Sequence, residues 1–429
     1  MVEKLKKFFI KTFGCQMNKK DSDVIFEVLR KGDYSPIQSP DAADIVVVNT
    51  CSVREHAEKR AFGYISSLKR WRKEKGSALG VVGCMARRLA NEIVNKFPYV
   101  DIVLGPDSYR KFPDYLKLVL DKKTKIIDTA VGGELYTDIC YTLRRISDFV
   151  SITRGCNNYC SYCVVPYVRG ELRSRPVVDI LNEVNALVQS GVKDITLLGQ
   201  NVNEYFYDGT DFPELLRLVA QNTNIFRLRF LTSHPKDFTD RIIETVKEND
   251  NICEWFHLPL QSGNNRILNL MNRRYTREDY MRLIEKIRKN IPQATITTDI
   301  IVGFPTETEE EFLQTIDLVK KIEFDDAYMY RYSIRPGTKA SEIPPLPEEI
   351  IKERLKILID IQNWVIIKKA KEMLGKIYEV LFEKRVENGT RGKTRGNKDV
   401  IVERVVEPGS VHRVLITKIK GRTPIGKII

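Results

Sequence analysis

The stretch RGCNNYCSYCVVPYVRG, residues 154–170, carries three cysteines at C-x3-C-x2-C spacing and directly follows an apolar, strand-like run. Iron–sulfur clusters are held by cysteine thiolates, and a cubane has four irons, so three cysteines leave one iron without a protein ligand. Such an iron can bind a small molecule. Cys156, Cys160 and Cys163, here called the loop triad, therefore predict a cluster that is open to an exogenous ligand.

A chance triplet and a zinc site are the alternatives for the loop triad. With 8 cysteines in 429 residues, about 0.003 occurrences of this spacing are expected by chance. A structural zinc site needs four ligands, usually as two Cys or His pairs. No second pair follows the triad, and the nearest candidates are His234, His257 and, upstream, Cys140. An electron-transfer ferredoxin would also need a fourth cysteine for each cluster.

Length and composition indicate a multidomain enzyme of the cytoplasm. A chain of 429 residues has room for about three domains. It shows no N-terminal apolar run of signal-peptide length and no stretch near the roughly 18 apolar residues of a membrane span, so we expect no membrane partner. Eight cysteines in such a protein are more often metal ligands, reactive thiols or buried side chains than disulfides.

The first segment, residues 1–121, alternates strand-like and helical patterns, which is typical of an open parallel α/β sheet. Three of its strand-like runs lead to Cys15, Cys51 and Cys84, here called the auxiliary triad. Such sheets bind ligands at the carboxyl ends of their strands, so these thiols are predicted to converge on a second metal site. Each cysteine alone could be a buried small side chain. Their shared position after successive strands favours the ligand interpretation.

A second domain is predicted at residues 148–347, after a linker at 122–147 with little periodicity. Six βα units indicate a partial (β/α)6 barrel with its active site at the carboxyl ends of the strands. Cys140 and Cys253 fit neither triad and are expected to be core or linker thiols. The strand-like runs of this domain are residues 149–153, 193–198, 226–231, 255–260, 295–302 and 326–332.

Several strand ends of the second domain are polar or rich in glycine, as a cofactor site requires: LLGQNVNEY (197–205), HLPLQSGNNRIL (257–268) and TTDIIVGFPTETEEEF (297–312). Glycine permits both a close backbone approach to a ligand and a tight turn, and both interpretations stay open. His257 is either a barrel histidine or a substrate contact. The candidate cofactor-binding residues are Gly199, Gln200, Asn201, Gln261, Ser262, Gly263 and Gly303.

A connecting helix at residues 348–375 and a small all-β barrel of about five strands at 376–429 complete the predicted architecture. The chain has 70 Lys or Arg against 57 Asp or Glu, and more than half of this excess lies in 376–429, with 13 basic and 6 acidic residues. Small β-barrels often bind oligonucleotides, and a concentrated cationic surface suits a phosphate backbone. A solvated basic face is the alternative.

Together these motifs resemble the MiaB-type tRNA methylthiotransferases, which belong to the radical S-adenosylmethionine (SAM) enzymes. The resemblance covers nearly the whole chain and rests on GCQMN, NTCSVR, GCMARR, the 154–170 stretch, LGQNVN, HLPLQSG and DIIVGFPTET. It implies an auxiliary 4Fe-4S cluster on the auxiliary triad and a SAM-binding 4Fe-4S cluster on the loop triad. It also implies that the terminal barrel is a TRAM-like RNA-binding domain.

The reaction implied by this resemblance adds a methylthio group at C2 of N6-isopentenyladenosine, next to the anticodon of tRNA. One SAM would methylate sulfur carried on the auxiliary cluster, and another would yield the 5′-deoxyadenosyl radical that activates C2. An aromatic C2 hydrogen is too weakly acidic for a side-chain base near neutral pH, so a cofactor-generated radical suits this chemistry. The implied partners are the tRNA anticodon stem-loop, SAM, an electron donor and a sulfur donor.

Two alternatives explain the same cysteines. A sibling methylthiotransferase would act on a ribosomal-protein aspartate or on threonylcarbamoyl-adenosine, and GCQMN, LGQNVN and HLPLQSG favour the isopentenyl type instead. A protein of another class would be a non-catalytic, RNA-binding iron–sulfur sensor. The two triads with an open iron and the barrel pattern argue against a sensor.

Overall fold

Three structural parts follow one another along the chain: an open parallel sheet, a half-barrel of six strands and a small closed barrel. The computed structural model describes residues 5–139 and 145–429. Cys140, for which a core or linker position is expected, lies outside the described residues. Within them, no helix combines the length and the apolar character that a bilayer span requires. The predicted fold class is confirmed.

The first part is a six-stranded parallel sheet in the order β2-β1-β3-β4-β5-β6. Its strands are β1 (Lys7–Thr12), β2 (Ser35–Pro36), β3 (Ile45–Thr50), β4 (Ala78–Gly83), β5 (Ile102–Leu104) and β6 (Ile126–Asp128). Its helices are α1 (Gln16–Lys31), α2 (Glu55–Glu74), α3 (Cys84–Arg88), α4 (Ala90–Lys96) and α5 (Phe112–Lys122). β3 and β4 are buried at every position, as expected for apolar parallel strands that are covered on both faces.

The half-barrel consists of two three-stranded parallel sheets. Their strands are β7 (Ser147–Ser151), β10 (Asp194–Leu198), β13 (Arg227–Leu231), β14 (Trp255–His257), β15 (Thr295–Val302) and β16 (Asp326–Arg331). Two short antiparallel pairs accompany them: β8 (Thr153–Arg154) with β9 (Arg173–Ser174), and β11 (Phe206–Tyr207) with β12 (Thr210–Asp211). All six strands predicted for this domain are confirmed.

Helices alternate with the strands of the half-barrel along the chain. They are α6 (Val165–Arg169), α7 (Val177–Gln189), α8 (Phe212–Asn222), α9 (Asp240–Glu248), α10 (Asn265–Leu270), α11 (Arg277–Asn290) and α12 (Glu309–Ile322). α12 begins at a capping box in which the Thr308 hydroxyl accepts the Glu311 N–H and the Glu311 carboxylate accepts the Thr308 N–H, which satisfies two otherwise unpaired donors. The apolar faces of α7, α8, α9, α11 and α12 form one core with the strands. Cys253 is fully buried and directly follows Ile252 of that core.

One predicted strand is shorter than its apolar pattern suggests. β14 ends at His257, whereas the pattern runs to residue 260. Pro259 has no N–H to offer to a ladder, and Gln261 follows with φ of +69°, so the chain turns there. The outcome places the polar residues after β14 on a loop at the carboxyl end of the half-barrel.

A long helix, α13 (Glu348–Lys371), leads to the terminal barrel. The barrel is closed, with the strand order β17-β18-β19-β21-β20. Its strands are β17 (Ile377–Val386), β18 (Gly389–Thr394), β19 (Asp399–Val402), β20 (Val411–Lys420) and β21 (Thr423–Ile428). The exposed side chains of Arg413, Lys418, Lys420, Arg422 and Lys427 lie on β20, β21 and the turn between them.

The terminal barrel covers the amino ends of the half-barrel strands, opposite to the ends that face the cysteines. Arg229 on β13 donates to the backbone oxygens of Thr394 at 3.1 Å and Arg395 at 2.5 Å, and its Nε donates to Asp194 at 2.9 Å. Arg229 and Asp194 are both buried. At the periphery, Arg395 pairs with Glu254 at 2.8 Å, where both side chains are partly exposed. The docking therefore depends on a buried arginine.

We predict that Arg229→Leu destabilises the protein by about 3–5 kcal/mol, because it leaves the buried Asp194 carboxylate without its partner. Two backbone oxygens of the terminal barrel lose their donors at the same time. Urea unfolding gives the change in free energy, and limited proteolysis after residue 371 reports loosening of the barrel.

The matched control is Arg395→Gln. It removes a partly exposed ion pair from the same interface, and such pairs contribute about 0–1 kcal/mol. Equal destabilisation by the two substitutions would contradict the dominant role of Arg229.

Candidate metal and cofactor site

Both cysteine triads line one cavity of about 1000 Å³. β1, β3 and β4 are neighbours in the first sheet, and the auxiliary triad follows their carboxyl ends. The loop triad follows β7 and β8 at the carboxyl end of the half-barrel. The cavity continues through the half-barrel to its amino end, where Glu383, Lys393 and Asn397 of the terminal barrel line it. The two sets of thiols that the sequence placed in separate domains therefore face a common space.

Each sulfur of the loop triad accepts an N–H donor. The Asn158 amide donates to Cys156 at 3.5 Å, the Arg273 guanidinium to Cys160 at 3.3 Å, and the backbone N–H of residue 165 to Cys163 at 3.5 Å. Burial raises the pKa of the Cys156 and Cys163 thiols. Because ligand thiols must be deprotonated, a bound cation is needed to hold them as thiolates.

The loop that carries this triad is held by its own backbone. Gly155 has φ of +81°, and a Cβ there would lie 2.0 Å from the backbone oxygen of Glu171, so only glycine fits. The Gly155 N–H donates to Oε1 of Gln200 at 2.7 Å. Gln200, one of the predicted cofactor residues, thus fixes the start of the cysteine loop.

The auxiliary triad is also surrounded by polar contacts. The backbone N–H of residue 53 donates to Cys51 at 3.3 Å, and the Arg169 Nε donates to Cys84 at 3.2 Å. The Cys15 thiol donates to Asn18 Oδ1 at 3.3 Å. Hydrogen bonding with Cys51 lowers the pKa of Cys15 to about 6, and the same contact raises the pKa of Cys51.

Three thiols per site and N–H donors aimed at sulfur fit an iron–sulfur cluster, since hydrogen bonds to the sulfurs are among the features that tune these clusters. A zinc ion would hold each thiolate at about 2.3 Å. Within residues 5–139 and 145–429, no three His, Cys, Asp or Glu side chains are gathered around the position of a single metal ion. Three cysteines in each site suit a cluster with one open iron, whereas a structural zinc site needs four ligands.

Three of the predicted cofactor residues line the cavity: Gly199, Gln200 and Gln261. A Cβ on Gly199 would lie 2.1 Å from the Thr153 hydroxyl, so the strand end approaches its neighbour closely. Gln261 has φ of +69° and a buried Oε1 that has no hydrogen-bond partner among the described residues. An acceptor in that state is available to a ligand.

Four predicted residues lie outside the cavity lining: Asn201, Ser262, Gly263 and Gly303. The Asn201 amide donates to Asp237 at 2.8 Å and so ties two loops together. A Cβ on Gly263 would lie 2.6 Å from Cα of Thr315, which makes this glycine a packing contact with α12. Gly303 has φ of +72°, and a Cβ there would lie 2.6 Å from the Ile351 side chain. For the two glycines these contacts agree with the turn and packing interpretation that the sequence left open, and a cofactor role for the four residues stays a prediction.

The loop after β13 contributes two cavity residues, of which the sequence analysis named only His234, as a possible zinc ligand. Ser233 and His234 line the cavity, and the Ser233 hydroxyl and His234 Nε2 are buried without a partner in the described part of the chain. His234 Nδ1 accepts the Lys236 N–H at 3.3 Å, so the ring proton resides on Nε2. Burial lowers the pKa of His234 and keeps the ring neutral. The signal was present, because Thr-Ser-His follows the predicted strand at 226–231 directly.

Aromatic and cationic side chains line another part of the same cavity, here called the aromatic wall. Arg54, which follows Cys51 by three residues, lies over the Tyr330 ring at 5.7 Å. Tyr328 is partly exposed and packs edge-on against His257 at 5.9 Å. His257 lines the cavity and its Nδ1 is hydrogen-bonded to Thr297 at 3.0 Å. Stacking surfaces of this type hold flat, unpaired bases.

Family models match two segments of the chain. The Radical SAM superfamily model matches residues 150–319, and a model described as Uncharacterized protein family UPF0004 matches residues 7–105. A curated protein of Caldicellulosiruptor saccharolyticus is 46% identical over 411 residues, which cover 93% of this chain and 87% of that protein. One of Azobacteroides pseudotrichonymphae is 44% identical over 415 residues, 93% of this chain and 92% of that protein. Both are named tRNA-2-methylthio-N(6)-dimethylallyladenosine synthase.

Solved structures share the fold at much lower identity. The radical S-adenosylmethionine methyltransferase TsrM from Kitasatospora setae superposes with a TM-score of 0.59 at 13% identity and covers 89% of this chain and 79% of that one. The cobalamin-dependent S-adenosylmethionine radical enzyme OxsB gives 0.54 at 12% identity, with 83% and 56% coverage. At such identities the likeness concerns the fold alone.

We predict that Gln200→Ala loosens the cysteine loop, because the buried Gly155 N–H loses its acceptor. A donor left unsatisfied in this way costs about 1–3 kcal/mol. Hydrogen exchange followed by mass spectrometry should show faster exchange in residues 154–163. Gln200→Glu is the control, since it keeps an oxygen at the Oε1 position and should exchange as the unaltered protein does; unchanged protection in Gln200→Ala would show that this bond does not hold the loop.

Proposed function

Because this chain belongs to the family of tRNA-2-methylthio-N(6)-dimethylallyladenosine synthases, we propose that it adds a methylthio group at C2 of N6-isopentenyladenosine next to the anticodon of tRNA. Identity of 46% over 93% of the chain supports the reaction. The observation that carries it is the convergence of the two triads on one cavity. A single base bound there can be reached from both metal sites.

The loop triad and the auxiliary triad each hold a 4Fe-4S cluster in this proposal. When bound, the clusters and SAM supply the electron, the radical and the methylated sulfur that the reaction needs. The protein holds the thiolates with N–H donors from Asn158, Arg273 and Arg169. Buried positive charge and N–H donors stabilise thiolate over thiol, which favours cluster retention.

SAM is assigned to the part of the cavity next to the loop triad. Gly199, Gln200 and Gln261 line this part. Ser233 adds a buried hydroxyl and His234 adds a buried ring N–H, and neither group has a partner among the described residues. Unpaired buried polar groups are costly unless a ligand bonds them. The neutral His234 ring offers an Nε2–H donor, and Gln261 offers an acceptor, to the polar atoms of SAM.

The adenine of the tRNA is assigned to the wall formed by Arg54, Tyr328 and Tyr330. A base flipped out of the anticodon loop can stack on aromatic rings and on a guanidinium. Arg54 lies beside the auxiliary triad in sequence, and Tyr330 lies at the carboxyl end of β16. A base held by this pair lies between the two metal sites.

Domain roles and further partners follow from these assignments. We assign the auxiliary cluster to residues 1–121, SAM to 148–347 and tRNA binding to 376–429, with a linker at 122–147 and a connecting helix at 348–375. Reductive cleavage of SAM calls for an electron donor, and repeated methylthio transfer calls for a sulfur donor. We place the enzyme in the cytoplasm, where tRNA is modified.

We predict a divided loss of activity in cysteine variants. Cys156→Ala should abolish both 5′-deoxyadenosine release and the methylthio product, because it removes a loop-triad ligand. Cys15→Ala should retain 5′-deoxyadenosine release but form no product. Both are measured by mass spectrometry with reduced enzyme, SAM and an anticodon stem-loop that carries isopentenyladenosine.

Cys253→Ala is the matched control for these variants. Cys253 is fully buried and belongs to neither triad, so both products should form at more than half of the unaltered rate. Equal loss of both products in Cys15→Ala would count against separate roles for the triads.

We predict that Lys420→Glu with Arg422→Glu weakens tRNA binding at least tenfold, because both exposed cations lie on the basic face of the terminal barrel. Each lost phosphate contact should reduce the slope of log K against log salt by about 0.7–0.9. Binding is measured by fluorescence anisotropy at several salt concentrations. The matched control is Lys247→Glu with Lys289→Glu, which makes the same charge change on α9 and α11. An equal loss of affinity in the control would contradict the prediction, because tRNA would then bind elsewhere or respond only to the net charge of the protein.

A further inference from the structure

Arg169 joins the segment of the loop triad to the auxiliary triad. It ends α6, six residues after Cys163, but its Nε donates to Cys84 Sγ at 3.2 Å. Its Nη2 donates to Asp21 at 2.6 Å. The Arg169 side chain is only 4% exposed, and its Nη1 is buried without a hydrogen-bond partner among the described residues. A guanidinium from the segment of the loop triad thus contacts the auxiliary triad.

Asp21 anchors this guanidinium together with a second arginine. Arg154 donates to the other carboxylate oxygen of Asp21 at 2.9 Å, and both of these side chains are buried as well. Arg154 and Arg169 belong to the half-barrel, whereas Asp21 lies on α1 of the first part. Two cations share one carboxylate, so the buried cluster carries one uncompensated positive charge.

The excess charge faces the auxiliary triad. Buried charges require compensation nearby, and Cys84 is a direct neighbour of the Arg169 guanidinium. A cluster ligand binds iron as a thiolate, so Cys84 as a ligand of the proposed cluster would place a negative charge beside this guanidinium. Arg87 on α3 adds a second cation with a buried, unpartnered Nη1 in the described structure. Arg154 donates instead to Asp21 and to the backbone oxygen of Pro106, with no donor contact to a cysteine in the part of the chain that the structure describes.

We propose that Arg169 is a positioning residue that fixes Cys84 for the auxiliary cluster and raises the reduction potential of that cluster. The inference rests on the proposed function, in which the auxiliary triad holds a 4Fe-4S cluster. A positive charge and an N–H donor next to a ligand sulfur favour the reduced, more negative cluster. Because the guanidinium comes from the loop-triad segment, the reduction potential of the auxiliary cluster depends on the position of that segment.

The test is a redox titration of the auxiliary cluster alone, in full-length protein in which the loop triad is replaced by alanines. Arg169→Gln, Arg169→Lys and Arg154→Gln are made in this parent, reconstituted with iron and sulfide, and followed by electron paramagnetic resonance. At the potential where half of the parent cluster is reduced, Arg169→Gln should show at least a tenfold lower ratio of reduced to oxidised cluster, which equals about 59 mV. Arg169→Lys keeps the charge and loses the Nε donor, so its ratio of reduced to oxidised cluster should lie between those of the parent and Arg169→Gln.

Arg154→Gln is the matched control, because it disturbs the same Asp21 ion cluster and leaves the Cys84 contact in place. It should change the ratio less than threefold. An equal shift in Arg154→Gln and Arg169→Gln would overturn the inference, since the effect would then act through Asp21. An unchanged ratio in Arg169→Gln at equal iron content would also overturn it.

Iron content separates this inference from the proposed function. A parent protein that does not load about four irons contradicts the auxiliary cluster itself. If the parent binds iron and Arg169→Gln does not, as judged by iron content and the unfolding midpoint, the reduction potential of Arg169→Lys becomes the deciding measurement. A potential in that variant equal to the parent's would overturn the role of the Nε donor.

Discussion

The buried carboxylate of Asp21 is the contact on which the arrangement of both triads depends. It binds Arg154 and Arg169 from the half-barrel while it belongs to the first helix of the preceding sheet. A buried ion cluster tolerates little displacement, because each group that loses its partner is left charged in a poorly solvating interior. Together with the buried pairs Lys20–Glu183 and Arg335–Glu58, the contact fixes the distance between the two domains that carry the triads. A base between them can be reached from both sides only if that distance is held.

The hydrogen-bond donors to the cysteine sulfurs are of two kinds, backbone N–H groups and arginine side chains. Residues 53 and 165 offer backbone N–H groups close to their own cysteines, whereas Arg169 and Arg273 reach their cysteines from a distance in sequence. The backbone donors are set by the local turn after each strand. The arginine donors depend on tertiary packing, and they bring charge as well as a hydrogen bond. Local folding thus forms the triads, and domain packing adjusts their electrostatics.

The sequence predicts which cysteines come together at one cavity better than it predicts the groups that surround them. The six cysteines stand out because cluster ligands need one residue type at fixed spacing or strand phase, and both patterns are visible in one dimension. Gly263 and Gly303 could not be separated from Gly199, because glycine serves packing, turns and ligand approach alike. The edge strand β2 has two residues and no periodicity to detect. Arg169 was out of reach, since its contact with Cys84 exists only after two domains have packed.

Hydrogen bonds to main-chain oxygens hold the terminal barrel on the half-barrel, and such contacts tolerate substitution. Arg229 donates to main-chain oxygens of Thr394 and Arg395, and Arg227 donates to that of Lys393. Main-chain acceptors persist whatever side chain the position carries. Substitutions at residues 393–395 and on the exposed basic strands can therefore accumulate while the terminal barrel stays bound to the half-barrel. Under the proposed function, in which this barrel binds tRNA, the preference for particular RNAs can change among descendants while the half-barrel keeps its structure.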